Sequence, residues 1–164
     1  MASAYFIQLD GIEGLSGDKA HEKWVEVISF SHGAHQNVSI ERGGDVAGRG
    51  QFFPFEFSHA VDKATPKLQQ YCVSGQKIAK AQFQFSRVIA GASTPVYEVI
   101  LENCRIAETK VDTLNAGGED PLSKQPVETV KLVAGKITWK VVPIKPDGSK
   151  DGAIEASFDQ IANA

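Results

Sequence analysis

Residues 62–75 read DKATPKLQQYCVSG and carry the one strong helical pattern in the chain. The Thr65 hydroxyl can accept a backbone N–H that the first turn leaves unpaired, which makes Thr65 the expected N-cap. Pro66 then falls at the first helical position, where the missing N–H does no harm and the fixed φ suits a helix. Leu68, Tyr71 and Cys72, at spacings of three and four, form one apolar stripe. Gly75 follows the last turn, where a left-handed residue is commonly needed. An isolated helix shorter than ~12 residues is marginal in water. This one must therefore dock on a sheet, where burial of Leu68 contributes roughly 1.5–3 kcal/mol.

Outward from the helix, the pattern changes to strands. Residues 78–89 alternate, with Ala81, Phe83 and Phe85 inward and Gln82, Gln84 and Ser86 outward. Residues 51–59 alternate around Phe53, Phe55 and Phe57, and Pro54 points to an edge or a bulge. Residues 4–9 put Tyr5, Ile7 and Leu9 on one side, and 10–18 (DGIEGLSGD) are turn chemistry. Residues 21–31 predict one long strand, with Trp24, Ile28 and Phe30 on a bulky face and Val25, Val27, Ser29 and Ser31 on a narrow one. Residues 35–40 either extend or pair with it.

A further strand is expected over 95–106, entered from a turn at 91–94. A hairpin is expected about Ala134-Gly135, joining 127–133 to 137–142 and offering Ile137, Trp139 and Val141 to the core. Residues 145–152 (KPDGSKDG) read as an exposed turn, and 154–161 as an added edge strand. Residues 41–50 and 116–126 are long loops. Eight or nine short strands separated by turns indicate a β-sandwich or barrel.

With 164 residues, the whole of 1–164 is expected to be one domain, large enough for a core without staples. A net charge of −3 with scattered Lys and Arg argues against a nucleic-acid partner. Cys72 and Cys104 sit among apolar residues and are expected as buried free thiols. The start, MASAYFIQLD, lacks a basic and an apolar signal region, and no apolar run nears the ~20 residues of a membrane span. Folding in the cytoplasm, with no membrane insertion, is expected. On that ground Asn37-Val38-Ser39 is discounted as a glycosylation acceptor.

Catalytic chemistry finds no foothold. His21, His32, His35 and His59 form no HExxH or helical pair, and no CxxC exists, so no metal is expected. Residues 43–50 depart from a phosphate-binding loop, because Arg49 and Gly50 stand where lysine and a hydroxyl belong. Ser16 misses a GxSxG elbow by one position. Cys104 lies near Ile100 and Ile106, and burial quiets a thiol. No catalytic residue, no cofactor and no enzymatic activity are expected. The faces Val25-Val27-Ser29-Ser31 and Gln82-Gln84-Ser86 are poor in charge, which suits an inter-subunit or cavity-facing role; a solvated outer face is the plainer alternative.

Four blocks carry a resemblance: DGIEGLSGD (10–18), AHEKWVEVISFSHGAHQ (20–36), FEFSHAVDKATPKLQQYCVSGQKI (55–78) and AGGEDPLSKQPVETVKLVAGKITWKVVP (116–143). In this order, and over residues 5–143, the chain resembles the Hcp family, the haemolysin-coregulated tube proteins of bacterial type VI secretion systems. The resemblance implies a compact antiparallel β-barrel of two sheets with one helix on its side, assembled into homohexameric rings. Such rings stack into an inner tube, tipped by a VgrG spike and enclosed by a contractile sheath, and carry small effectors in the lumen. Export without a cleaved signal follows.

VISFSHG (27–33) matches the family's strand motif and makes Ser31 lumen-facing, and Ser29, Gln82 and Gln84 complete the expected lumen set. The sequence departs from the family pattern at His32, where a second aromatic is common, and at Cys104 and Arg105, which replace apolar residues. A rival reading is a monomeric β-barrel module binding a small ligand or glycan through Phe53, Phe55, Phe57 and Trp139. Their alternation with polar neighbours suits a core better.

Overall fold

The computed structural model describes residues 4–38, 49–113 and 124–164. In chain order these form β1 (Tyr5–Leu9), β2 (Val25–Val27), β3 (Ser29–His35), β4 (Gln51–Ala60), α1 (Thr65–Ser74), β5 (Ile78–Ile89), β6 (Ala92–Asp112), β7 (Val127–Val141) and β8 (Ile154–Asp159). Every pairing is antiparallel, in the order β2-β1-β5-β6-β7-β4-β3, with β8 also on β7. The expected class, a mainly β antiparallel fold with one short helix, is the one observed, with the strands in one curled sheet in place of the expected barrel of two sheets. Most of the loops expected at 41–50 and 116–126, and most of the stretch compared with a phosphate-binding loop, lie outside the described residues.

One run of chain curls the sheet. β2 bonds to β1 and β3 bonds to β4, with Ile28 alone between them. The Ile28 N–H donates to the Ser58 carbonyl at 2.8 Å, so this run joins both ends of the sheet. Inside the curl, Tyr5, Phe30, Phe55 and Phe83 meet from β1, β3, β4 and β5, with ring centroids 4.4 to 6.3 Å apart. Aromatic pairs at such spacings add to burial through their edge and face charges. Ile7, Leu9, Val99, Leu101, Val130 and Leu132 complete the core around them.

The crossing at Ile28 corrects the expectation of one long strand over 21–31. His21 lies outside any strand, Val25 and Val27 are buried, and Ile28 is exposed. Changing partners from β1 to β4 resets the alternation, which returns Phe30 to the core and turns Ser29 and Ser31 outward. Pro54 sits in a bulge, as expected: Pro54 and Phe55 of β4 stand opposite His32 alone, between the pairs Ser31–Glu56 and Gly33–Phe53.

The hairpin about Ala134-Gly135 does not form. β7 is one strand that pairs with β6 along its length, while β4 takes its first half and β8 its second on the other side. The sequence pattern misleads here because the inward phase of three strands switches together. On β7 the buried apolar residues run Val130, Leu132, Ala134 and then Ile137; on β6 they run Val99, Leu101 and then Cys104, Ile106; on β5 they run Ile78 and then Ala81, Phe83. Asn103 (φ 55°) faces Gly135 at the switch, between the pairs Glu102–Lys136 and Cys104–Ala134. A Cβ on Gly135 would lie 3.0 Å from Ile161 Cδ1 and 3.3 Å from Asn103 Cβ, so glycine serves close approach and not a turn. The hairpin that does form, β5 to β6, turns on Ala90 (φ 51°) and Gly91 (φ 79°), a two-residue turn one position earlier than expected. Trp139 is half-buried and Val141 exposed, so of the three residues offered to the core only Ile137 is fully in it.

The helix ends as its sequence indicates and begins differently. Gly75 (φ 69°) closes it, with the Gln76 N–H donating to the Tyr71 carbonyl at 3.2 Å. Ala64, not Thr65, is the N-cap. The reason is local competition: the Asp62 carboxylate accepts the Ala64 N–H at 2.8 Å, and the Thr65 hydroxyl turns back to accept the Asp62 N–H at 3.2 Å. Pro66 therefore takes the second helical position. Leu68 is fully buried while Tyr71 and Cys72 are half-buried, and α1 packs across β6. Arg105 of β6 donates to the Gly75 carbonyl at 3.0 Å, which supplies the cation that the helix's own last turn lacks.

Candidate assembly surface

Ser29 and Ser31 lie exposed on β3. The Ser29 and Ser58 hydroxyls are 2.6 Å apart, and Ser31 stands opposite Glu56. Both serines line a cleft of about 360 Å³ with Ile28, Phe57 and Thr129. Gln82 and Gln84 project from the other side of β5 from Phe83. Gln84 is nearly buried, with its amide oxygen 2.6 Å from His21 Nε2 and its amide N–H on Glu98 at 3.2 Å. The Gln82 amide donates to the same carboxylate at 3.5 Å. β1 on one path and β6, β7 and β4 on the other separate β5 from the β2–β3 run, so serines and glutamines form two patches.

The candidate reactive groups stay apart. His59 is buried against Glu128 at 2.7 Å, with Asp62 3.8 Å from its other nitrogen. His32 accepts from or donates to the Tyr97 hydroxyl at 2.7 Å and stacks on Phe55 at 5.4 Å, so it fills the aromatic place in the core wall. Burial holds the His32 imidazole below its ordinary range and keeps the Tyr97 phenol above its own. His35 stacks on the exposed Phe53 ring at 5.5 Å. Among the described residues, no group of three or more His, Cys, Asp and Glu is placed to hold a metal ion.

The Ser16 hydroxyl accepts the Asp18 N–H at 3.2 Å, a turn bond within its own loop. Cys104 is free and buried, and desolvation, with lesser contributions from Asp10 and Glu102, pushes its thiol up to about 12. Cys72 is free and half-buried. Arg49 donates to the Gln160 carbonyl at 3.1 Å and so ties the C-terminal segment to the start of β4. Of the rival's aromatic set, Phe55 and Phe57 have no usable surface, Trp139 is half-buried, and only Phe53 is exposed.

Two long-range groups had no signal in the sequence. Glu128 reads as one charge in VETV, yet it is fully buried under His59. His21 reads as the start of a strand, yet it joins a loop to a glutamine 63 residues away.

Against known proteins, residues 6–141 match the family model described as type VI secretion system effector, Hcp. The chain belongs to the Hcp family. Protein hcp1 of Pseudomonas aeruginosa is 32% identical over 153 residues, covering 93% of this chain and 91% of that one. The Major exported protein of the same organism is 28% identical over 142 residues, covering 84% and 80%. Among solved structures, one described as a type six secretion system protein superposes with a TM-score of 0.86 at 25% identity, over 99% of both chains. Hcp1 from Salmonella typhimurium superposes with a TM-score of 0.77 at 26% identity, over 99% of this chain and 98% of that one. This chain is thus a member of the Hcp family of type VI secretion proteins. Among its described residues no helix is long and apolar enough to cross a membrane.

Proposed function

We propose that this Hcp chain, a single domain over 1–164, is a tube subunit: six copies close into a ring, and rings stack into the conduit that a type VI apparatus ejects. The observation that carries the reading is that strand edges stay open among the described pairings, those of β3 and β8 and that of β2 besides. Among the described pairings, β3 bonds only to β4 and β8 only to β7, so each keeps one edge free. Ile154 on β8 and Ile28 beside β3 add exposed apolar surface at 66% and 54%. Such edges recruit another chain unless charged or covered, and two different edges on one subunit suit a head-to-side contact that closes a ring.

In this reading Ser29, Ser31 and Gln82 face a wet passage, with Gln84 set beneath its wall under His21, and small uncharged groups hold small effectors without adhesive apolar contact. A VgrG spike and a contractile sheath are the expected partners. The chain folds in the cytoplasm before the apparatus exports it. The monomeric binding module draws less support, since its central aromatic residues form the core.

Light scattering with negative-stain imaging of the purified full chain tests the ring. About six subunit masses and annular particles are expected; a single subunit mass at high concentration would overturn the assignment. Ser31→Asp tests the passage: the ring should persist while co-purification of effectors changes, and unaltered cargo recovery would remove Ser31 from the lumen.

A further inference from the structure

His21 is fully buried, and each of its ring nitrogens meets an acceptor: Asp18 Oδ2 lies 2.7 Å from Nδ1, and Gln84 Oε1 lies 2.6 Å from Nε2. The orientation of the Gln84 amide follows from Glu98. That carboxylate can only accept, and it receives the Gln84 N–H at 3.2 Å and the Gln82 N–H at 3.5 Å. The amide oxygen is therefore the atom left to face His21. A neutral imidazole donates through one nitrogen only, and no solvent reaches this ring to supply the other bond. Both bonds are satisfied together only by the doubly protonated ring.

The packing favours the same state. Phe6 lies parallel to the His21 ring with centroids 4.0 Å apart at 4°, and Trp24 meets it edge-on at 4.9 Å and 78°. A cation on an aromatic face is attracted by the ring quadrupole. The charged groups that face this position come from its own loop (Asp18), from β6 (Glu98) and from β2 (Glu26, opposite Phe6), while β1 and β5 bring only Phe6 and Gln84. Lys140 stands opposite Glu98 one strand further on.

We propose that His21 is a cationic latch that holds the loop of residues 10–24 against β5 and opens when the ring gives up a proton. Where the loop leaves β1, the Asp10 N–H donates to the Lys80 carbonyl of β5 at 3.0 Å and the Ile12 N–H to the Leu9 carbonyl at 3.1 Å. Beyond that its other bonds run within itself, as Gly14 N–H to the Lys23 carbonyl at 2.8 Å and Ser16 N–H to the Trp24 carbonyl at 3.0 Å, or come from the exposed Lys63, just before the helix, and Lys67 within it. Losing the second ring proton sets two acceptors face to face at one of the two short contacts. Phe6 and Gln84 then lose their cover, so the face of β1 and β5 presented to a partner depends on pH: tight in acid, loosened in alkali.

Glu98 becomes a positioning residue through Gln84. Replacing it by glutamine frees the Gln84 amide to turn its N–H toward His21, which lets a neutral ring make both bonds. Amide exchange of Gly14, Ser16 and Lys23 in the assembled full chain, corrected for intrinsic rates, should show protection falling as pH rises from about 5 to 9. The slope should approach, and not exceed, about tenfold per pH unit, as a single linked proton dictates. Glu98→Gln should flatten that slope while leaving assembly unchanged. An equal slope in Glu98→Gln, or no slope in the natural sequence, would overturn the latch. Nitrogen NMR of His21 in the natural sequence near neutral pH decides it independently of any variant: two protonated ring nitrogens support the proposal, and one unprotonated nitrogen refutes it.

Discussion

Gly135→Val is expected to destabilise the protein by about 1–3 kcal/mol, the usual range for forcing extra carbon into a packed site. The number follows from what surrounds the position. A first carbon at Gly135 already meets Ile161 Cδ1 at 3.0 Å and Asn103 Cβ at 3.3 Å, against the ~3.5–4.0 Å of an unstrained carbon contact. Gly135→Ala should be nearly neutral, because Ile161 is 74% exposed and its terminal carbon can swing away, while replacing a strand glycine returns roughly 0.5–1 kcal/mol of backbone entropy. The branched carbons of valine reach further, toward Asn103, whose Cβ is fixed by a backbone held at φ 55°.

Urea unfolding at one fixed protein concentration measures both variants, and Ile161→Ala combined with Gly135→Val completes a double-mutant cycle. The combination should recover a sizeable part of the valine penalty. If alanine at 135 proved as damaging as valine, and Ile161→Ala gave no relief, Gly135 would have to sit in a tight turn. The continuous β7 and the phase switch opposite Asn103 would then both be wrong.

Three further outcomes are expected. Because burial lowers the His32 pKa, the unfolded chain takes up protons first, so His32 contributes stability that is complete above about pH 6.5 and is lost as pH falls below that value. His32→Phe keeps the ring stack and should flatten the acid side of the stability profile; an unchanged slope there would refute the assignment. Under native conditions a thiol reagent should label Cys72 and spare Cys104, whose thiol sits near 12, until the chain unfolds. Equal labelling rates would place Cys104 at the surface. Arg105→Ala should cost about 0.3–1 kcal/mol through loss of the cation at the end of α1, with faster amide exchange at Gly75 and Gln76; Arg105→Lys should restore part of it.

The features legible in the sequence are those whose cause is local. Gly75 ends α1 because a left-handed residue is needed there whatever packs around it. Pro54 marks a bulge because it lacks an N–H. The alternation of Ala81 and Phe83 survives because both pack into the core from the middle of β5. What escaped reading depends on partners distant in sequence. The break at Ile28 comes from a strand that bonds first to β1 and then to β4, and the apparent turn at Gly135 comes from a switch shared with Asn103. Even Thr65, a good cap by residue type, lost that role to the nearby Asp62 carboxylate. At the candidate surface, the strands that carry Ser29, Ser31, Gln82 and Gln84 were readable, but the cover that His21 lays over Gln84 was not.

The run that bonds to β1 through β2 and to β4 through β3 also sets the order in which a new chain can mature. It ties β1 to β4 through pairs only 16 to 29 positions apart, and β5, β6 and β7 are successive neighbours joined by pairs 3 to 44 apart, so each half can zip up as it is made, whereas the β1–β5 and β4–β7 ladders join residues 67 to 80 positions apart. Such distant closures are slow, because the entropy of the intervening loop must be overcome before any contact repays it. The seam made by those two ladders, between the β1–β4 half and the β5–β7 half, therefore closes last. Until it does, the nascent chain carries raw strand margins, and the proposed ring can be built only from chains that have already shut.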